Sequence, residues 1–239
     1  MKNTNKRKIY VFDIGNTLIV KPNIIINKEV IDDLRRIKAS GNVVGIATMR
    51  NKSQYEELHK QFDFDFFIGL NGSYVKCENS KLLDISINNN DLKTLFEFAR
   101  THHIQCFLHT KDEVIHLEDI TDELVYVVEL MNVQIFQSLI PQLFPLFSCN
   151  IWESGMSCDI YYKTVSKSNG LKIICDYYNI SYKDCVAFGD GFNDIDLFKK
   201  CGISIAMGTA PEELKNVATY VTKSAKEHGI SWALKTYCI

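Results

Sequence analysis

IYVFDIGNTLI, residues 9–19, is a run of aromatic and branched apolar side chains that ends in one carboxylate, Asp13, and enters a polar turn, Gly15-Asn16-Thr17. Residues 9–12 suit a strand buried on both faces, as strands of parallel sheets are, and the turn brings Asp13 to the carboxyl edge, where open α/β folds bind ligands. Taken alone, the stretch reads by default as a core strand with a solvent-facing Asp in its turn. Its neighbours decide between the two.

Downstream, NKEVIDDLRRIKAS (27–40) places Val30, Ile31, Leu34 and Ile37 at helical spacing and stops at Gly41. Residues 43–47 form a second apolar strand closing on Thr48-Met49-Arg50, 52–62 a helix and 64–70 a third strand. This alternation predicts a parallel sheet. After Asn71-Gly72 the texture changes. The pattern there predicts a hairpin (73–75 with 82–87), an amphipathic helix (90–103), strands at 105–109 and 113–117, a helix at 122–131, a strand at 133–137, a helix at 139–147, and strands at 150–153 and 158–162. From Ser166 the alternation returns, with helices at 167–179 and 194–200, strands at 185–188 and 203–206, then a helix, a strand at 220–222 and a last helix near 230–234. The chain therefore reads as an α/β protein: a doubly wound, mostly parallel Rossmann-like sheet core, residues 1–83 and 157–239, interrupted by an inserted α+β cap at 84–156.

Composition narrows the function classes. The 239 residues carry 27 basic and 29 acidic side chains, a formal charge of -2, so no general attraction to nucleic acid or to an anionic membrane surface is expected. MKNTNKRK at the start lacks the apolar segment of a signal peptide, and no apolar run approaches the ~20 residues of a membrane span, so a cytoplasmic protein is expected. The eight cysteines form no C-x-x-C pair and have no His at finger spacing, which favours reduced thiols over disulfides or a zinc finger. Nothing in the pattern specifies an oligomeric state.

Four polar clusters follow strands or open a helix in the two core segments: Asp13 with Thr17, Thr48, Lys167, and Asp190 with Asn193 and Asp194. In a parallel sheet they converge on one edge. One carboxylate nucleophile, two further carboxylates for a hard cation, one ammonium, and hydroxyl and amide donors together suit phosphoryl transfer. GDGFNDID (189–196) is the most specific cluster, since a Gly-rich loop lets two acids and backbone approach one ion, although it also serves as a plain turn and helix cap.

With FDIGNTL (12–18), IATMR (46–50), NG (71–72), VSKSNGLKII (165–174), GDGFNDIDLF (189–198) and GISIAMGTAPEELKNVATYVT (202–222), the chain resembles the haloacid dehalogenase (HAD) superfamily hydrolases, in their Cof-type branch with a IIB-like cap. The resemblance implies that Asp13 attacks phosphorus, and that Thr48 and Lys167 hold the phosphoryl group. It implies Mg2+ on Asp13, the Gly15 carbonyl and Asp190, with Asp194 binding it directly or through a neighbour. Asn193 would face the phosphate, and Asn71, Gly72 and Arg50 would contact substrate, Arg50 being equally a surface ion-pair or helix-end residue. The implied substrate is a small phosphorylated metabolite.

The departures are as informative. The family's usual acid-base Asp, two residues after the nucleophile, is Gly15 here, so a contribution of about 10²- to 10⁴-fold has no side chain to supply it. Asn16 replaces the usual Gly and tolerates left-handed backbone, and Met49 stands where the branch usually has Gly. The favoured reading is a Mg2+-dependent phosphatase with weakened acid catalysis, or acid catalysis rerouted to a cap residue such as Glu153, Asp159, His109 or His116. Residues of these types are more often ordinary surface groups. A Gly15→Asp change is then expected to extend activity to sugar phosphates. The alternatives are a catalytically inactive phospho-ligand-binding or regulatory protein, and carbon-halogen hydrolysis, which the apparent metal pair Asp190 and Asp194 disfavours.

Overall fold

A computed structural model describes residues 6–117, 123–152 and 154–239. The chain runs β1 (Ile9–Phe12), α1 (Lys28–Ala39), β2 (Val43–Ala47), α2 (Lys52–His59), β3 (Phe66–Gly69), β4 (Tyr74–Cys77), β5 (Ser80–Asp84) and α3 (Asn89–Thr101). It continues through β6 (Cys106–Thr110), β7 (Val114–His116), β8 (Val125–Met131), α4 (Ile140–Leu143), β9 (Phe147–Ile151) and β10 (Ser157–Tyr162). The last part is α5 (Lys167–Tyr178), β11 (Cys185–Gly189), α6 (Ile195–Phe198), β12 (Ile203–Ala206), α7 (Glu212–Lys215), β13 (Tyr220–Val221) and α8 (Gly229–Thr236).

The expected α/β architecture is what forms. An eight-stranded sheet has the order β13-β12-β11-β1-β2-β3-β4-β5, parallel from β13 to β3 and antiparallel at its β4 and β5 edge. Alternation within β1 sorts the layers: Tyr10 and Phe12 join the core that includes Leu34 of α1, Leu58 of α2 and Ile230 of α8, while Ile9 and Val11 join Leu171 and Ile174 of α5 and Leu197 of α6. Helix starts follow local chemistry. Asn27 caps α1 by accepting from the Glu29 N–H, and Ser166 caps α5 by accepting from Asn169.

A second, antiparallel sheet has the order β7-β6-β8-β10-β9. Leu108, Val128, Leu130, Cys158 and Ile160 on one face pack on Leu92, Leu95, Phe96 and Ala99 of α3. Three sequence expectations change here. Residues 125–131, expected as helix, form the central strand β8, because VYVVELM alternates two buried faces at period 2; residue 122, the expected start, lies outside the described residues. Residues 133–137, expected as strand, instead contain a short 3₁₀ turn at 134–136, since Asn132, at φ 59°, ends β8. Residues 157–162, placed in the returning core, are β10 and pair between β8 and β9, so the chain rejoins the large sheet after Tyr162 rather than after Met156.

Candidate active site

The carboxyl ends of β1, β2 and β11, three neighbours in the large sheet, carry the polar residues singled out in the sequence. Asp13 follows β1 and is anchored by its own N–H, which donates to the Phe188 carbonyl at 2.9 Å. Lys167, at the first position of α5, is wholly buried and donates to Asp13 Oδ1 at 2.7 Å and to Asp194 Oδ1 at 2.6 Å. Burial would lower the Lys167 pKa, but the two carboxylates override it and hold the ammonium above its ordinary value. Asp194 spends its other oxygen on the N–H groups of Asp190 and Gly191, both at 3.0 Å. Thr17 Oγ1 donates to Asp190 Oδ1 at 3.1 Å.

Asp13, Gly15, Asn16, Thr48, Met49, Arg50, Asp190 and Asn193 all line one cavity of about 570 Å³. Its far wall comes from the second sheet, through His109, Glu129 and Asp159. Asn16 holds the left-handed turn, φ 54°, that its residue type permits. The Arg50 guanidinium lines the cavity with no carboxylate within ion-pair distance among the described residues, so the surface ion pair does not form, while Arg50 does stand at a helix end, just before Asn51, the N-cap of α2. Burial lowers its pKa and the nearby Asp13 partly restores it.

Other expected residues fall behind the wall. Asn71, at φ 54°, accepts from the Asn193 amide at 2.9 Å and orients it. Gly72 packs on backbone: a Cβ there would meet the Ser166 carbonyl at 2.1 Å, and φ is +99°. Neither lines the cavity, so their contribution is to shape rather than contact. Asp194 is 0% exposed with both oxygens engaged inside the protein, which leaves it no oxygen to offer a cavity ion directly. Its place is to hold Lys167 and the 190–191 backbone.

The donor set fits a hard divalent cation. Asp13, Asp190 and Asp194 set three carboxylates against one ammonium, and burial, then Asp13 and Asp194, push the Asp190 carboxyl well above its ordinary range. A cation at Asp13, Asp190 and the Gly15 carbonyl would offset that excess.

Two features escaped the sequence. A Cβ at Gly15 would sit 2.5 Å from Lys21 Cε, 3.1 Å from Lys21 Nζ and 3.8 Å from Arg50 Nη2. Cationic side chains therefore occupy the place of the missing acid. Lys21 lies in an aperiodic loop, and no local signal marks it. Glu129 is the other, hidden by the helical reading of its segment. Of the cap residues named as stand-in acids, His109 and Asp159 reach the cavity, burial pushing the Asp159 carboxyl up to about 6, while His116 is exposed and lies tilted against the Phe107 ring. Glu153 lies outside the described residues.

The Bacillus subtilis protein named "Putative phosphatase YkrA" is 28% identical over 95% of this chain and 96% of its own. A Streptococcus pyogenes protein named "Putative bifunctional phosphatase/peptidyl-prolyl cis-trans isomerase" is 27% identical over 96% of this chain, which spans only 54% of that relative's length. A solved structure of a HAD enzyme superfamily protein from Bacteroides thetaiotaomicron superposes with a TM-score of 0.88 at 24% identity, covering 100% of this chain and 97% of its own, a likeness of fold. The sequence model for haloacid dehalogenase-like hydrolases matches residues 10–142 and 125–234. No helix among the described residues is long and apolar enough to cross a membrane.

Proposed function

Because the chain belongs to the haloacid dehalogenase-like hydrolases, we propose that it is a Mg2+-dependent phosphatase acting on a small phosphorylated metabolite through an aspartyl-phosphate intermediate. The observation that carries this reading is the Asp13 carboxylate, held by Lys167 in a cavity whose other polar walls include Thr48, Arg50 and Asn193. The names of the two bacterial relatives support it. In the proposed reaction Asp13 attacks phosphorus as the bond to the leaving oxygen breaks. Water then attacks the phosphorus of the acyl phosphate, releasing phosphate and restoring Asp13. Thr48, Arg50 and Asn193 face the phosphoryl oxygens, and Lys167 neutralises charge behind the nucleophile. A cation held by Asp13, Asp190 and the Gly15 carbonyl would let an anionic nucleophile meet an anionic substrate. We assign the cap to the chain between Asp84 and Lys163, closing over the leaving group.

Phosphate release from an aryl phosphate and a panel of sugar phosphates, with Mg2+ and with chelator, tests the reading. The expected result is Mg2+-dependent release that favours the aryl ester, because a phenolate departs without a proton while an alkoxide needs one. No release from any ester would replace this reading with the non-catalytic phospho-ligand-binding one.

Restoring the acid is not a single substitution in this fold. In Gly15→Asp the new Cβ would fall 2.5 Å from Lys21 Cε, so the flexible lysine must give way, and with its ammonium and Arg50 still beside the site the carboxylate is expected to stay ionised and unable to donate a proton. Gly15→Asp alone is therefore expected to leave sugar phosphates nearly uncut, and Gly15→Asp with Lys21→Ala to raise their turnover by about tenfold or more. Parallel kcat measurements on aryl and sugar esters check this; equal gains from the single and double variants would show that Lys21 does not quench the acid.

A further inference from the structure

Three side chains of metal-ligating type on the second sheet take no part in the phosphoryl transfer steps proposed above. His109 of β6, Glu129 of β8 and Asp159 of β10 stand on adjacent strands, with Asp159 directly opposite Glu129 in register. One ligand atom from each lies within 4.8 Å of the others. All three are buried, at 6%, 8% and 2% exposure, and all line the cavity that Asp13 also lines. His109 Nε2 lies 3.0 Å from Glu129 Oε2. Asp159 Oδ1, by contrast, is buried without a hydrogen bond of good geometry, and the nearby Trp152 and Asn150 side chains offset only part of the cost of burying its carboxyl. No Lys or Arg lies within ion-pair distance of Glu129 or Asp159 among the described residues, so two buried carboxylates share one imidazole. A carboxylate oxygen in such a place is costly unless something positive meets it.

We propose that His109, Glu129 and Asp159 form a second divalent-cation site, in the cap wall of the cavity. One imidazole nitrogen with two carboxylates suits a borderline ion such as Zn2+, Mn2+ or Co2+ rather than Mg2+, which prefers an all-oxygen shell. Three protein ligands leave further coordination positions facing the cavity, the arrangement of a site that takes a water or a substrate atom rather than one that only braces the fold. The site shares no residue with the nucleophile, phosphate contacts or cation ligands of the phosphatase reading, and it gives His109 and Asp159 a part other than that of a stand-in acid.

The test is a Co2+ titration of the full chain with Mg2+ in large excess to saturate Asp13 and Asp190, read by visible d–d absorption and by elemental analysis after dialysis. One equivalent of Co2+ is expected on the wild type and on Asp190→Asn. Affinity should fall tenfold or more in His109→Ala and in Glu129→Gln. A measurement without substitutions guards against misfolded variants: the ring-nitrogen NMR shifts of His109 in the wild-type protein should move to those of a metal-bound imidazole on adding Zn2+. Absence of Co2+ binding under Mg2+, binding unchanged in both variants, or a His109 ring that keeps its metal-free shifts would overturn the proposal.

Discussion

Asp13→Asn is expected to reduce phosphate release by roughly 10⁴-fold or more on every ester, because it removes the nucleophile while keeping its shape. The substitution is a clean test in this fold. An Asn oxygen at that position still accepts from Lys167, whose other partner Asp194 is untouched, and the backbone bond to Phe188 does not involve the side chain. Thermal unfolding should therefore change little while turnover collapses. A variant that retained more than about a hundredth of wild-type turnover would move the nucleophile elsewhere.

Lys167→Met should cost both activity and stability. Removing the ammonium leaves Asp194, 0% exposed, carrying a charge with no cation beside it. Breaking a buried pair from one side typically costs about 3–5 kcal/mol, which a urea midpoint would register plainly. Adding Asp194→Asn to Lys167→Met should recover part of that stability, since it neutralises the stranded group, and recover no turnover. If the double variant were as unstable as the single one, packing of the lysine stem rather than charge would be the cause.

Much of the core was legible in the sequence because its strands are buried on both faces and bounded by turns, so 9–12, 43–47 and 203–206 announce themselves as apolar runs. Asp13, Thr48, Lys167 and Asp190 could be placed on one edge because parallel strands put every carboxyl end on the same side. The second sheet was less readable. In VYVVELM, Val127 and Glu129 share the face opposite to Val128 and Leu130, yet seven residues this apolar fit a helix nearly as well. With that helix assumed, Glu129 is an ordinary acid; only the strand register sets it against Asp159. Lys21 was invisible for a different reason. Its ammonium reaches the space beside Gly15 through the path of a loop, and a loop's path is set by tertiary contacts rather than by periodicity.

The position of β1 in the large sheet bears on how the protein is made. β1 lies between β2, which follows it closely, and β11, which begins 173 residues after β1 ends. The five strands of the second sheet, in contrast, all come from residues 106–162. As the chain leaves the ribosome, the smaller sheet has every partner it needs while β1 still lacks one neighbour. Asp13 meets its ammonium only across 154 residues. The cap should thus be complete before the core, and chains truncated before Lys167, released or tethered by a linker long enough to clear the ribosome, should resist protease at the strands 106–110, 125–131 and 157–162 while remaining inert towards phosphate esters.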